Sequence, residues 1–94
     1  MRGTYIAAIM RNAQERSRRD AQTTSDLYEN LQALLQNGDV VTYGVAQITG
    51  AEYRPGSTSI TVYCSGAQVT LQRETLGFYE LQQQVNRLLA EKED

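Results

Sequence analysis

Four arginines crowd one short stretch near the start of the chain: Arg11, Arg16, Arg18 and Arg19. On a helix, Arg11 and Arg18 lie seven residues apart on one face, and Arg16 and Arg19 are neighbours at i,i+3. Side chains so placed can grip phosphates or an acidic protein surface. Glu15 and Asp20 temper the same stretch, so a solvated helix face is the competing reading. Tyr43, Tyr53 and Tyr63 fall in segments of strand-like composition, and Arg54 stands at an expected hairpin tip. Aromatic rings on a sheet can hold bases or a nucleotide, but tyrosine also simply packs well there or along a dimer seam. An arginine projecting from a tip can anchor a partner. The candidate partner-binding set is therefore Arg11, Arg16, Arg18, Arg19, Tyr43, Arg54 and Tyr63.

Other chemistries are excluded or disfavoured. There is no histidine, which removes the commonest general base, the usual metal ligand and every Ser-His or Cys-His nucleophile pair. The single cysteine, Cys64, can form neither an intramolecular disulfide nor a thiolate zinc site. Its position in an apolar strand points to a buried, inert thiol, and its solitude to a reducing, cytoplasmic setting. The phosphate-loop spacing G-x-x-x-x-G-K is missing, and no carboxylate pair is set to face inward. The expectation is a non-enzymatic protein with no catalytic residues, no metal and no cofactor.

A length of 94 residues fits one domain, 1–94, with a core small enough that oligomerisation is a natural support. The net charge of −2 is unevenly spread: residues 1–24 carry +3 and residues 25–94 carry −5. Residues 1–24 thus read as an extended or oligomerising N-terminal helical arm. The apolar run Tyr5–Met10 is too short for a membrane span or a leader, so no membrane partner is expected.

The elements that must position these side chains centre on Val40–Leu71, where β-branched and aromatic residues concentrate. Turn signals at Arg54-Pro55-Gly56-Ser57 and Ser65-Gly66 predict a three-stranded antiparallel meander. A two-residue loop at Ser65-Gly66 pairs Cys64 with Ala67, Val62 with Val69 and Ile60 with Leu71, all on one apolar face. The first hairpin fits no clean register, which predicts a bulge or odd-length loop near Gly50. In one register Val41, Tyr43 and Val45 join Thr61 and Tyr63 on the outer face. In the other, Val40, Ala46 and Ile48 take their place. Either face is too apolar to stay wet, so a helix or another subunit should cover it.

Helices flank the meander. Leu27, Leu31, Leu34 and Leu35 follow an Asp26/Glu29 capping pattern and stop at Asn37-Gly38, predicting a helix over about 26–36. The Thr23-Thr24-Ser25 run, poor in helix propensity, is the preferred break before it. The alternative is one helix over about 4–36, whose apolar ends share a heptad register. Phe78, Leu81, Val85 and Leu88 predict a C-terminal amphipathic helix starting after Thr75.

The fold expected is α+β: an N-terminal helix, one long or two broken, then a three-stranded antiparallel meander and a C-terminal amphipathic helix. The layout is similar to that of small phage head–tail joining proteins and small viral inhibitors. The function expected is that of a small non-catalytic interaction protein. It would bind and block or scaffold a host or self protein, most concretely as a phage or mobile-element type inhibitor, and form a homo-oligomer. The alternatives are a nucleic-acid-binding module using the arginine cluster, a nucleotide-sequestering oligomer, and a virion assembly protein.

Overall fold

The computed structural model describes residues 22–93, and over them the fold is α+β. Helix α1 covers residues 22–36 and buries Leu27, Leu31 and Leu34 at the i, i+4, i+7 spacing of one helical face. Asn37-Gly38 ends it as expected. Gly38 takes φ +88, its N–H donates to Leu35 O at 3.1 Å, and the N–H of Asp39 donates to Leu34 O at 3.0 Å. Those two bonds satisfy the last carbonyls in the manner of a Schellman cap.

The break expected at Thr23-Thr24-Ser25 does not occur. All three are helical and Thr24 is fully buried, so packing outweighs poor intrinsic propensity. Asp26 consequently lies inside the helix instead of capping it, and its carboxylate accepts a 2.9 Å bond from Gln22 Nε2. The Tyr5–Met10 stripe, the arginine cluster and the rest of the proposed arm before residue 22 lie outside the described residues.

The sheet has four antiparallel strands, not three, in the order β1 (Thr42–Tyr43), β2 (Ala46–Glu52), β3 (Ser59–Cys64) and β4 (Ala67–Gln72). The extra strand arises because the chain reverses at Gly44-Val45, closing on the pair Tyr43↔Ala46. Gly44 supplies φ +63, the left-handed value needed at the first central position of a tight hairpin turn. The sequence reading missed this turn because a Gly-Val pair between apolar residues reads as continuous strand.

The pairing of β3 with β4 follows the counted register, from Cys64↔Ala67 through Ile60↔Leu71 to Ser59↔Gln72. The irregularity expected near Gly50 is also present. Ile48 opposes Cys64 while Gly50 opposes Tyr63, so two steps on β2 match one on β3 and Thr49 is the extra residue. The bulge lets Ile48 and Ala51, three apart, both face inward.

Helix α2 (Leu76–Lys92) lays Phe78, Leu81 and Val85 against the same inner face, and they join one core with α1, Val41, Ile48, Ile60, Val62, Cys64 and Leu71. Thr75 occupies its N-cap, but the hydroxyl donates back to Gln72 O at 2.8 Å instead of into the helix. At the far end Lys92 Nζ meets Asp39 Oδ2 at 2.9 Å, and that bond holds the Asp39 carboxyl below its ordinary value. Among the described residues no helix is long and apolar enough to cross a membrane.

The expectation of an apolar outer face is overturned. Val41 is fully buried, Tyr43 packs against the core and Val45 stands in the turn. The face away from the helices carries Thr49, Glu52, Thr61, Tyr63, Gln68, Thr70 and Gln72, since side chains alternate from the buried Ile60, Val62 and Leu71. That face is polar and suited to water.

One contact ties α2 to the sheet edge. In the β1–β2 ladder, Ile48 N–H donates to Val41 O at 2.8 Å, and Tyr43↔Ala46 closes the turn in the same phase. Alternation therefore points both the N–H and the C=O of Thr42 away from β2. The Gln84 side chain meets both: Oε1 accepts from Thr42 N at 2.9 Å and Nε2 donates to Thr42 O at 2.8 Å. A primary amide offers an N–H donor and a C=O acceptor side by side, as a peptide group does, so Gln84 stands in for the next strand.

Two outcomes are expected in urea denaturation. Gly44→Ala costs about 1–2 kcal/mol because a side chain is strained at positive φ. Gly50→Ala, whose new Cβ meets only Tyr63 Cδ2 at 3.8 Å and whose φ is not positive, is neutral or stabilises by up to about 1 kcal/mol. Equal losses at both would contradict the turn and bulge assignments. Separately, Gln84→Glu keeps the shape but sets a carboxylate oxygen against Thr42 O, and is expected to destabilise by about 1–3 kcal/mol at neutral pH. Part of that loss returns on acidification, when the carboxyl regains a proton to donate.

Candidate functional site

The sequence-derived candidates separate once folded. Tyr43 faces the helices. Its hydroxyl and Cε2 lie 3.0 and 3.2 Å from where a Cβ on Gly77 would stand, so the ring lies across the start of α2 and would have to shift by a few tenths of an ångström to admit a side chain there. Tyr63 sits on the opposite face, half-buried, with its ring over Gly50 in the cross-strand pair. The two tyrosines do not form one stacking surface. The hairpin turn at Gly44 carries Tyr43 inward, away from the shared outer face that register counting allowed. Arg54 is exposed in the loop between β2 and β3. Arg11, Arg16, Arg18 and Arg19 lie outside the described residues.

What the fold does assemble is a tyrosine pair that the sequence reading did not join. Tyr28 of α1 and Tyr53, the residue just after β2, approach with ring centroids 5.6 Å apart and planes tilted by 33°. Tilted aromatic pairs at that separation are favourable beyond the area they bury. Each ring is fixed through its hydroxyl, Tyr28 by a 3.1 Å bond from Gln32 Nε2 and Tyr53 by a 3.1 Å bond from the N–H of Gly56. Gln32 also donates to Ala51 O at 3.3 Å, fastening α1 to β2 beside the pair. Tyr28 flanks the Leu27–Leu31–Leu34 stripe, so its place on the helix was legible. The face taken by Tyr53 depends on the bulge at Thr49 and was not.

Two open grooves flank this pair. One, of ≈ 470 Å³, runs past Tyr28, Glu52, Tyr53, Arg54, Ser57, Ser59 and Thr61. The other, of ≈ 670 Å³, lies on the Gln22, Ser25 and Glu29 side and reaches Pro55 and Gly56. Hydroxyls dominate the first, with Glu52 and Arg54 contributing opposite charges at its rim. The serine walls are held in place: Ser57 Oγ and Ser59 Oγ lie 3.0 Å apart, and Ser59 N–H donates to Ser57 Oγ at 3.0 Å.

Glu52 also joins the groove to the outer face. The Glu52 carboxylate lies beside the Tyr63 hydroxyl, and its hydrogen-bonding pull and negative charge raise the phenol above its ordinary value of 10.0. A raised folded-state value means that the contribution is fully present below the ordinary phenol range and is lost as pH rises through the folded value. Among the described residues no group of His, Cys, Asp and Glu is placed to hold a metal ion. Cys64 is a free, buried thiol on the core face.

Glu52→Ala is expected to bring the Tyr63 titration midpoint down toward the ordinary phenol value, followed by the ring Cζ resonance in a pH series. An unchanged midpoint would contradict the influence of Glu52 on Tyr63. No protein-family model, curated protein or solved structure matches this chain, so the reading of the site rests on its own residues.

Proposed function

We propose that this chain is a small, non-catalytic interaction protein that grips a protein partner with the α1 and β2–β3 tip surface. Tyr28, Tyr53 and Arg54 are the anchors. The observation that carries this reading is the tilted Tyr28–Tyr53 pair with an open groove on each side and Arg54 at the rim. Tyrosine and arginine are the residues most enriched where interfaces concentrate binding energy, because they bring large contact area with a polar end. Ring orientations already fixed by Gln32 and Gly56 reduce the entropy lost on docking. Open, hydroxyl-rich grooves suit a segment of another protein better than a small molecule, which favours an enclosed and mainly apolar pocket. The absence of histidine from the whole sequence favours action by occupancy over catalysis. In its most concrete form the reading is an inhibitor of the phage or mobile-element kind that blocks a host protein or nucleoprotein.

A second reading, nucleic-acid binding, is favoured by the +3 charge of residues 1–24. The two are told apart as follows. A photo-crosslinking residue placed at exposed Glu29, in the lining of the second groove, should capture a discrete host protein, while the same probe at exposed Gln83 on α2 captures none. Binding of that protein should weaken by about 30-fold or more in Arg54→Ala, the size of an interface hot spot, with the melting temperature unchanged. Equal capture from both positions, or affinity indifferent to Arg54, would refute the tip as the binding surface. A nucleic-acid gel shift that vanishes with rising salt would move the reading to the arginine cluster.

A further inference from the structure

The two edges of the sheet are finished differently. At β1 the outward N–H and C=O of Thr42 are both taken by Gln84. At β4 the phase of the ladder can be read from Arg73, whose N–H donates to Thr58 O at 3.0 Å. With the pairs Ile60↔Leu71, Val62↔Val69 and Cys64↔Ala67 in that same phase, Ala67, Val69 and Leu71 bond to β3. The N–H and C=O of Gln68 and Thr70, and the N–H of Gln72, therefore point away from the sheet. Gln68, Thr70 and Gln72 are also exposed. Nothing in Ala67–Gln72, AQVTLQ, blunts this edge: it has no charge, no proline and no bulge. Those are the devices by which edge strands are ordinarily kept from pairing, and the opposite edge of this same sheet is closed.

We propose that the β4 edge pairs with the β4 edge of a second copy of this chain, antiparallel about a two-fold axis at Thr70, to give one continuous sheet of eight strands. This interaction is independent of the tyrosine surface at the β2–β3 tip. A second copy is the fitting occupant because of how the strand meets itself. With Thr70 on the axis, Thr70 opposes Thr70 and exchanges both backbone bonds with it, and Gln68 opposes Gln72, whose N–H can donate to the Gln68 carbonyl. The amides of Gln68 and Gln72 face each other on the outer side, able to donate and accept reciprocally. On the inner side Val69, half-buried at the open edge, meets Leu71 of the second copy and extends the apolar core across the junction. The nearest charges, Arg73 and Glu74, fall opposite Ala67 and Gly66, so no charge confronts its own copy. A foreign extended peptide would find the same hydrogen bonds but would not by necessity have this matching register.

Light scattering across a concentration series tests the proposal. An interface made mainly of one strand pair is at the weak end of specific association, so the series should extend to about 1 mM. The wild-type mass is expected to rise from the 10.5 kDa of one chain to twice that value. Thr70→Pro removes an N–H that points away from β3, leaves the β3–β4 ladder bonds intact, and should hold the mass at one chain. Thr70→Lys, which keeps the N–H but sets like charges face to face on the axis, should do the same with far-ultraviolet circular dichroism unchanged. A wild-type chain that stays single at every concentration would overturn the proposal, and so would association that Thr70→Lys leaves at wild-type strength. Binding to the partner captured from position 29 should persist in both variants.

Discussion

The amide of Gln84 is the contact on which the rest of the structure depends. A two-residue strand such as Thr42–Tyr43 cannot be held by one short ladder, since an isolated hairpin is marginal in water. Gln84 gives Thr42 the second set of hydrogen bonds that an interior strand would have, and it does so from the helix that also fills the core. The sheet is thereby drawn over α2 at β1, while β4 joins the same helix through the turn at Arg73–Thr75. Phe78, Leu81 and Val85 lie fully or almost fully buried between those two attachments. Val41, the residue before the clamp, is fully buried.

A second constraint decides which surface is left for function. The extra residue at Thr49 changes the phase of β2, so Ile48 and Ala51 both point inward and Tyr53 arrives beside α1. Without the bulge, residues beyond it would exchange faces, and Tyr53 would leave Tyr28. The Tyr63 ring covers the bulge glycine from the other side, and its hydroxyl lies beside Glu52, the next residue but one after Gly50. Core packing and the tyrosine surface are thus two consequences of the same inserted residue. The groove lies where α1, the end of β2 and the loop to β3 converge, at residues fixed by backbone as well as side-chain bonds.

Much of this was legible in the sequence, for identifiable reasons. The β3–β4 register follows from a two-residue loop and strict alternation, two signals that agree. The end of α1 follows from Asn37-Gly38, because a left-handed position beside a leucine stripe has few other uses. The irregularity near Gly50 was visible as a conflict between turn and pattern. Legibility failed where local preference met tertiary packing. Thr23-Thr24-Ser25 read as a break, yet Thr24 is enclosed and the helix continues. Gly44-Val45 read as strand, yet the chain turns there, and with it went the expected apolar outer face. The tyrosine pair needed both the exact site of the bulge, at Thr49, and the placement of α1, and no local signal fixes either. Gln84 is one of three consecutive glutamines, and nothing in its neighbourhood marks it off from Gln82 and Gln83.

Native-state amide exchange at Thr42 tests the clamp most directly. Its N–H belongs to an edge strand and faces away from the neighbouring strand, so sheet pairing alone would leave it open. With Gln84 accepting from it, exchange should proceed only through opening of the folded core, at a rate close to those of the Val62 and Ile48 amides. Exchange of Thr42 as fast as that of Val45 in the adjacent turn would show that the edge is not closed, and would contradict the account of how this sheet is held on its helix.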